Sequence, residues 1–220
     1  PPEPTNAIPG PPGGVTQSAH AAVGRQITLR DQFGELEGPT QAELDELVQL
    51  IALADAGWID LIVTGIVSGM PRSFVHASGL GDASIFDADA ETGSMTHAQF
   101  KAAAGLGAEI TYTAVPEGLG HRLGRDRDLD GVFNKSERDL NSDPGNAFDH
   151  VFVDGSAGSG GDGSTALPLD TVSEAAAVAS PSAGKDAYVH IAAGTYGETP
   201  TLDRPMVFVS EGGTARIGGN

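Results

Sequence analysis

Residues 126–137 read DRDLDGVFNKSE, placing four carboxylates within twelve positions around one glycine. Asp126, Asp128 and Asp130 alternate, Gly131 follows, and Glu137 closes the run. Carboxylates this close repel one another, so the spacing asks for a cation between them. The stretch fits D-x-[DN]-x-[DN]-G-x5-E at every fixed position, the pattern of a calcium loop. Calcium takes six to eight hard oxygens at roughly 2.3–2.6 Å. Alternate aspartates in a tight loop aim inward, and Gly131 permits the sharp turn. Val132 offers its backbone carbonyl, Asn134 ligates directly or through a water, and Glu137 closes the shell with both oxygens. The expected ligands are therefore Asp126, Asp128, Asp130, Val132, Asn134 and Glu137, with Phe133 packing inward as an anchor. A solvated acidic turn held by its own Asx hydrogen bonds would explain the aspartates. It would not explain the glycine and the glutamate at their fixed offsets.

The flanks must hold this loop. Upstream, AVPEGLGHRLGR contains Pro116, Gly118, Gly120 and Gly124, which disfavour an entering helix. Downstream, NKSERDL has room for about two helical turns, and Asp143-Pro144 then redirects the chain. Over residues 124–147, DRDLDGVFNKSERDLNSDPGNA resembles the EF-hand-like, thrombospondin type 3-like and dockerin-like calcium loops of large secreted bacterial proteins. The resemblance implies Ca2+ as the bound ion and an extracellular or cell-surface setting. Dockerins carry a paired second loop; one loop is seen here, so a cohesin partner is not expected.

Four segments follow from composition and periodicity. Residues 1–19 are a Pro/Gly-rich linker, and residues 20–116 are a small α+β module. In that module RQITLRDQF reads as a strand, and PTQAELDELVQLIALADAG as a helix. Thr40 and Glu43 form its capping box, Leu44, Leu47, Leu50 and Ile51 its apolar stripe, and Gly57 its left-handed stop. DLIVTGIVSG and RSFVHASG read as strands turning at GMP; a helix opens at Thr96, and AEITYTAV is a strand running to Pro116. Trp58, the only tryptophan, reads as core. Residues 117–149 hold the calcium loop and a linker.

Residues 150–220 change character. HVFVDG is a strand, Thr171 and Glu174 cap a short helix, and strands recur near 187–192, 206–210 and 215–218. Val189 and Ile191 are matched by Val207 and Val209, each 18 residues later, a spacing typical of a solenoid. VFVDG, GDGSTALPLDTVSEA, AYVHIAAGTYGET and RPMVFVSEGGTARI together resemble the opening of right-handed parallel β-helix proteins of the pectate-lyase-like kind. The resemblance implies a mixed fold class: an α+β module, an EF-hand-like loop, then the N-terminal cap and first coils of an all-β solenoid. Val189, Ile191, Val207, Val209 and Ile217 would face inward. The implied function is a calcium-binding structural segment whose ion clamps the junction to a β-helix in contact with polysaccharide or cell-surface glycan. The alternative is the N-terminal part of a polysaccharide lyase or glycoside hydrolase whose catalytic coils lie beyond residue 220. No catalytic motif is matched, so no catalytic residue is assigned.

The chain has 30 acidic against 12 basic residues and a formal net charge of −18. That disfavours nucleic acid and anionic membrane surfaces, both of which need clustered Lys and Arg. No apolar run approaches the ~20 residues of a membrane span. Cysteine is absent, so neither disulfides nor thiolate metal sites are available. The six histidines show no metal-binding spacing and read as surface or core residues. Gly158, Gly160 and Gly163 match a dinucleotide fingerprint in spacing only; no helix opens directly after them, and a turn is expected.

Overall fold

The computed structural model describes residues 21–30 and 38–218. The expected linker at 1–19 and the end of the strand RQITLRDQF lie outside these residues. The chain divides into two compact units, with the boundary between Arg125 and Asp126.

In the first unit, helix α1 (Gln41–Asp55) begins with the full capping box. Thr40 Oγ1 accepts the Glu43 N–H, and the Glu43 carboxylate accepts the Thr40 N–H. Its stripe buries Leu47, Leu50, Ile51 and Leu53, and Gly57 ends it at φ +71°. The strands are β1 (Gln26–Leu29), β2 (Ile59–Val67), β3 (Met70–Ser78), β4 (Ile85–Ala88), β5 (Ser94–Thr96) and β6 (Ile110–Pro116). They form one antiparallel sheet in the order β1-β6-β2-β3-β4-β5. Alternation puts Leu61, Val63, Phe74, Phe86, Ile110 and Tyr112 into the same core as the α1 stripe, with Trp58 partly buried against it. Helix α2 (His97–Ala103) adds Phe100, which meets Phe74 and Phe86 edge-on with ring centroids 5.0 and 5.4 Å apart.

Two local expectations are corrected here. The β2–β3 hairpin turns at Ser68-Gly69 and not at GMP. Both residues have positive φ, +53° and +78°, as a two-residue turn matched to strand twist requires. Met70 and Pro71 already belong to β3. A five-residue helix, α3 (Gly120–Gly124), also forms where glycine was expected to prevent one. Its glycines allow close approach: a Cβ on Gly124 would stand 2.6 Å from Val75, and one on Gly120 2.8 Å from Asp60. Asp60 also accepts the Gly120 N–H at 2.6 Å. Packing on β2 and β3 thus outweighs the intrinsic preference of glycine.

The second unit contains α4 (Asn134–Leu140), β7 (His150–Val153), α5 (Val172–Val178), β8 (Tyr188–Tyr196) and β9 (Val207–Ile217). β7, β8 and β9 form a parallel sheet in that order. Val151, Val153, Val189 and Ile191 bury one face together with Val172 and Ala175 of α5. Thr171 Oγ1 accepts the Glu174 N–H, but its hydroxyl, not its N–H, bonds the Glu174 carboxylate.

The expected all-β solenoid is overturned. The described residues form a mixed α/β arrangement, with a six-stranded antiparallel sheet and a separate three-stranded parallel one. The 18-residue match misleads because the register runs at 19: Tyr188 pairs with Val207, Val189 with Phe208 and His190 with Val209. A slip of one residue reverses the face of every side chain. Val189 and Ile191 are buried, whereas Val207 and Ile217 are 43% and 38% exposed and Val209 is half-buried. The five residues expected to share an interior therefore do not. β9 has no buried position along its length.

Candidate metal centre

The loop 125–133 leads into α4, and its shape comes from carboxylates bonding its own backbone. Asp126 Oδ1 accepts the Leu129 N–H at 2.7 Å, and Oδ2 accepts the Gly131 N–H at 3.1 Å. Asp130 Oδ1 accepts the Val132 N–H at 2.7 Å, and Asn134 Oδ1 accepts the Arg127 N–H at 3.0 Å. Leu129 and Gly131 take positive φ, +67° and +99°. Gly131 is required twice over. Beyond its φ, a Cβ there would fall 1.9 Å from Thr165 Oγ1. Thr165 donates its N–H to the Asp130 carbonyl at 2.9 Å, so the Gly/Ser-rich run 155–165 seats on the acidic loop. That contact gives the glycine run its place in the fold.

These bonds leave a specific set of oxygens turned away from the backbone. Asp128 Oδ2, Asp130 Oδ2, both oxygens of Glu137 and Asp149 Oδ1 are buried without a hydrogen-bond partner. Asp128, Asp130, Glu137 and Asp149 each offer one oxygen such that all lie within 4.8 Å of one another. Glu137 and Asp149 are 0% exposed and Asp130 1%. Of the six expected ligands, Asp128, Asp130 and Glu137 are brought together. Asp126 and Asn134 are buried beside them with their side-chain oxygens on loop N–H groups. Val132 is bonded to Asp130 through its N–H.

Asp149 lies outside the loop motif. It reaches the cluster because the chain reverses after α4. Asn141 caps the helix at φ +62°. Asp143 then accepts the Gly145 N–H and the Ser182 hydroxyl, and the Asp149 N–H bonds the Asn146 carbonyl at 3.0 Å. Asp149 Oδ2 accepts the Asp143 N–H, which leaves Oδ1 for the cluster. The signal available in the sequence was the carboxylate that follows SDPGNAF. Its partners, however, are set by the docking of β7 on β8 and not by loop spacing.

The electrostatics follow from burial. Loss of solvent, with repulsion from the neighbouring acids, pushes Asp128 up to about 6, Asp149 to about 7, Asp130 to about 8 and Glu137 to about 9. Buried oxygens without partners are costly, and native structures tolerate few of them. One cation of charge +2 or more would satisfy the whole set. The donors are hard oxygens only, which suits calcium, magnesium or manganese and not metals that prefer thiolate or imidazole. Asp149→Asn is expected to weaken the affinity for such a cation by roughly tenfold or more, about 1.4 kcal/mol. Calorimetric titration with calcium checks this, and an unchanged affinity would remove Asp149 from the set.

Compared with known protein families, with curated proteins and with solved structures, the chain matches none, so its resemblances rest on the motifs themselves.

Proposed function

We propose that residues 126–220 are a calcium-stapled structural module of an extracellular or cell-surface protein. One observation carries the proposal: five carboxylate oxygens of Asp128, Asp130, Glu137 and Asp149 are buried without partners, and one oxygen from each residue lies within 4.8 Å of the others. Calcium fits better than magnesium. It accepts six to eight oxygens with a bidentate glutamate, whereas magnesium demands near-ideal octahedral geometry and keeps its waters. The two free oxygens of Glu137 supply the bidentate arm. Backbone carbonyls or waters complete the shell.

The staple works within the second unit. Its ligands come from the loop, from α4 and from the residue that leads into β7, so the ion ties an irregular segment to the parallel sheet. A chain without cysteine has no disulfide for that task. Extracellular calcium, near millimolar, saturates sites with Kd of ~10⁻⁴ M or tighter. A sensor would need a paired helix that opens on binding. Residues 134–140 form one short helix, whose Glu137 is fully buried. Equilibrium dialysis against calcium should find one ion per chain, with millimolar magnesium a poor competitor. No uptake at 10-fold that concentration of calcium would end the proposal.

A further inference from the structure

Behind the acid cluster, polar side chains line up in one hydrogen-bonded row. Ser142 Oγ lies 2.7 Å from His150 Nε2, and His150 Nδ1 lies 2.9 Å from His190 Nε2. His190 Nδ1 lies 2.8 Å from Glu211 Oε1. Ser142 and His150 are 0% exposed and His190 9%, so water does not substitute along most of the row. The rings are also fixed by stacking. His150 lies parallel to Tyr188 at 4.9 Å, and His190 is nearly parallel to Phe152 at 4.4 Å.

The row has a direction. A carboxylate only accepts, and a neutral imidazole carries one N–H. Glu211 therefore takes the Nδ1–H of His190, whose Nε2 is left to accept. His150 donates Nδ1–H to it and accepts at Nε2. The Ser142 hydroxyl has two acceptors in reach, the Glu137 carbonyl at 3.1 Å and His150 Nε2 at 2.7 Å; with His150 Nε2 accepting, its one proton goes to the nearer of the two. For neutral imidazoles, this pattern makes both rings Nδ1–H tautomers.

The inner end reaches the metal ligands through the main chain. Ser142 donates its N–H to the Glu137 carbonyl at 2.9 Å, and His150 follows Asp149 in the chain. We infer that Ser142, His150, His190 and Glu211 are positioning residues of the metal centre: they fix the backbone of two ligands, Glu137 and Asp149, to strands β8 and β9. This rests on the calcium proposal above. It assigns a role to His190 and Glu211, which do not themselves belong to the acid cluster. Outer partners that orient metal ligands typically change affinity by about 10–100-fold when removed.

The test uses the whole chain and calorimetric calcium titration of the parent, His190→Phe, Glu211→Ala and Glu211→Gln. His190→Phe should weaken calcium by about tenfold. Glu211→Ala should weaken it less, because Glu211 is half exposed and water can replace it. Glu211→Gln should restore the parental affinity, because its amide oxygen accepts the same proton. Nitrogen-15 imidazole spectra of the calcium-loaded parent should show Nδ1–H tautomers for both His150 and His190. If the parent binds calcium and all three variants bind it equally well, the inference fails and the calcium proposal survives. If the parent binds no calcium, both fail. A protonated Nε2 on a neutral His150 would overturn the direction of the row, and the inference with it.

Discussion

Replacing Glu137 by glutamine is expected to reverse the effect of calcium on relative stability. Without the ion, the variant should melt above the parent; with the ion, well below it. Glu137 is fully buried, and both its oxygens face the cluster without partners. Burial, and after it repulsion from the neighbouring acids, pushes it up to about 9, so the metal-free fold at neutral pH keeps this carboxyl protonated and must take up a proton that the unfolded chain releases. Glutamine keeps the shape and is neutral without that proton uptake. In the presence of calcium the balance inverts, because the bidentate arm is gone. At 100 times its Kd, an ion that binds only the folded state stabilises it by about 2.7 kcal/mol. For a unit of this size that is a melting shift on the order of ten degrees. Differential scanning calorimetry with calcium, and after metal removal on chelating resin, reads both arms. Equal calcium responses in parent and variant would exclude Glu137 as a ligand.

The second large effect is on pH. Metal-free protein should lose stability as pH rises from about 6.5 to about 9. The sign follows from linkage. The four acids titrate near 4 when unfolded. Folded, they stand at about 6, 7, 8 and 9 for Asp128, Asp149, Asp130 and Glu137. Between those limits the folded form holds more protons than the unfolded one, so stability is full at the acid end and falls as pH rises, each acid's share of the fall ending once its folded pKa is passed. His150 acts in the opposite sense. Burial, with repulsion from His190 second, lowers it to about 4, so it favours the folded form increasingly as pH rises towards 6.5. Above 6.5 the acids act alone. Calcium must displace their protons, so its affinity should rise over the same window. The two melting curves, with and without calcium, therefore diverge with pH. A metal-free melting temperature that climbs from pH 6.5 to 9 would contradict the clustering of these acids.

Features that depend on local spacing were legible in the sequence. The capping box of Thr40 and Glu43 involves residues three apart, and it forms as expected. Asp128, Asp130 and Glu137 are held by one turn and one helix start, and their convergence follows from the loop pattern. Long-range register was not legible. Asp149 joins the cluster because a turn at Asp143 and the start of β7 return it there, and no periodicity encodes that. The sequence reads two short strands near 206–210 and 215–218 where one runs from Val207 to Ile217, and it assigns their faces one residue out of step. Valines at 207 and 209 look like core to any pattern count, whereas the pairing of Val189 with Phe208 turns them away. The role of histidine was hidden for the same reason: His150 and His190 are neighbours only because β7 and β8 run parallel.

The way Asp149 enters the cluster also bears on time. Three of the clustered acids lie close together in the chain and can approach one another early in folding. The fourth waits for β7 to find β8, a parallel pairing that joins His150 to Tyr188 across an intervening helix. Such non-local pairings form slowly. A complete cage is therefore expected late in folding. Calcium bound there, as proposed above, would do little to hasten folding and would act mainly by slowing escape from the native state. On the extracellular reading proposed above, the lifetime of the folded form is the quantity such an ion would lengthen.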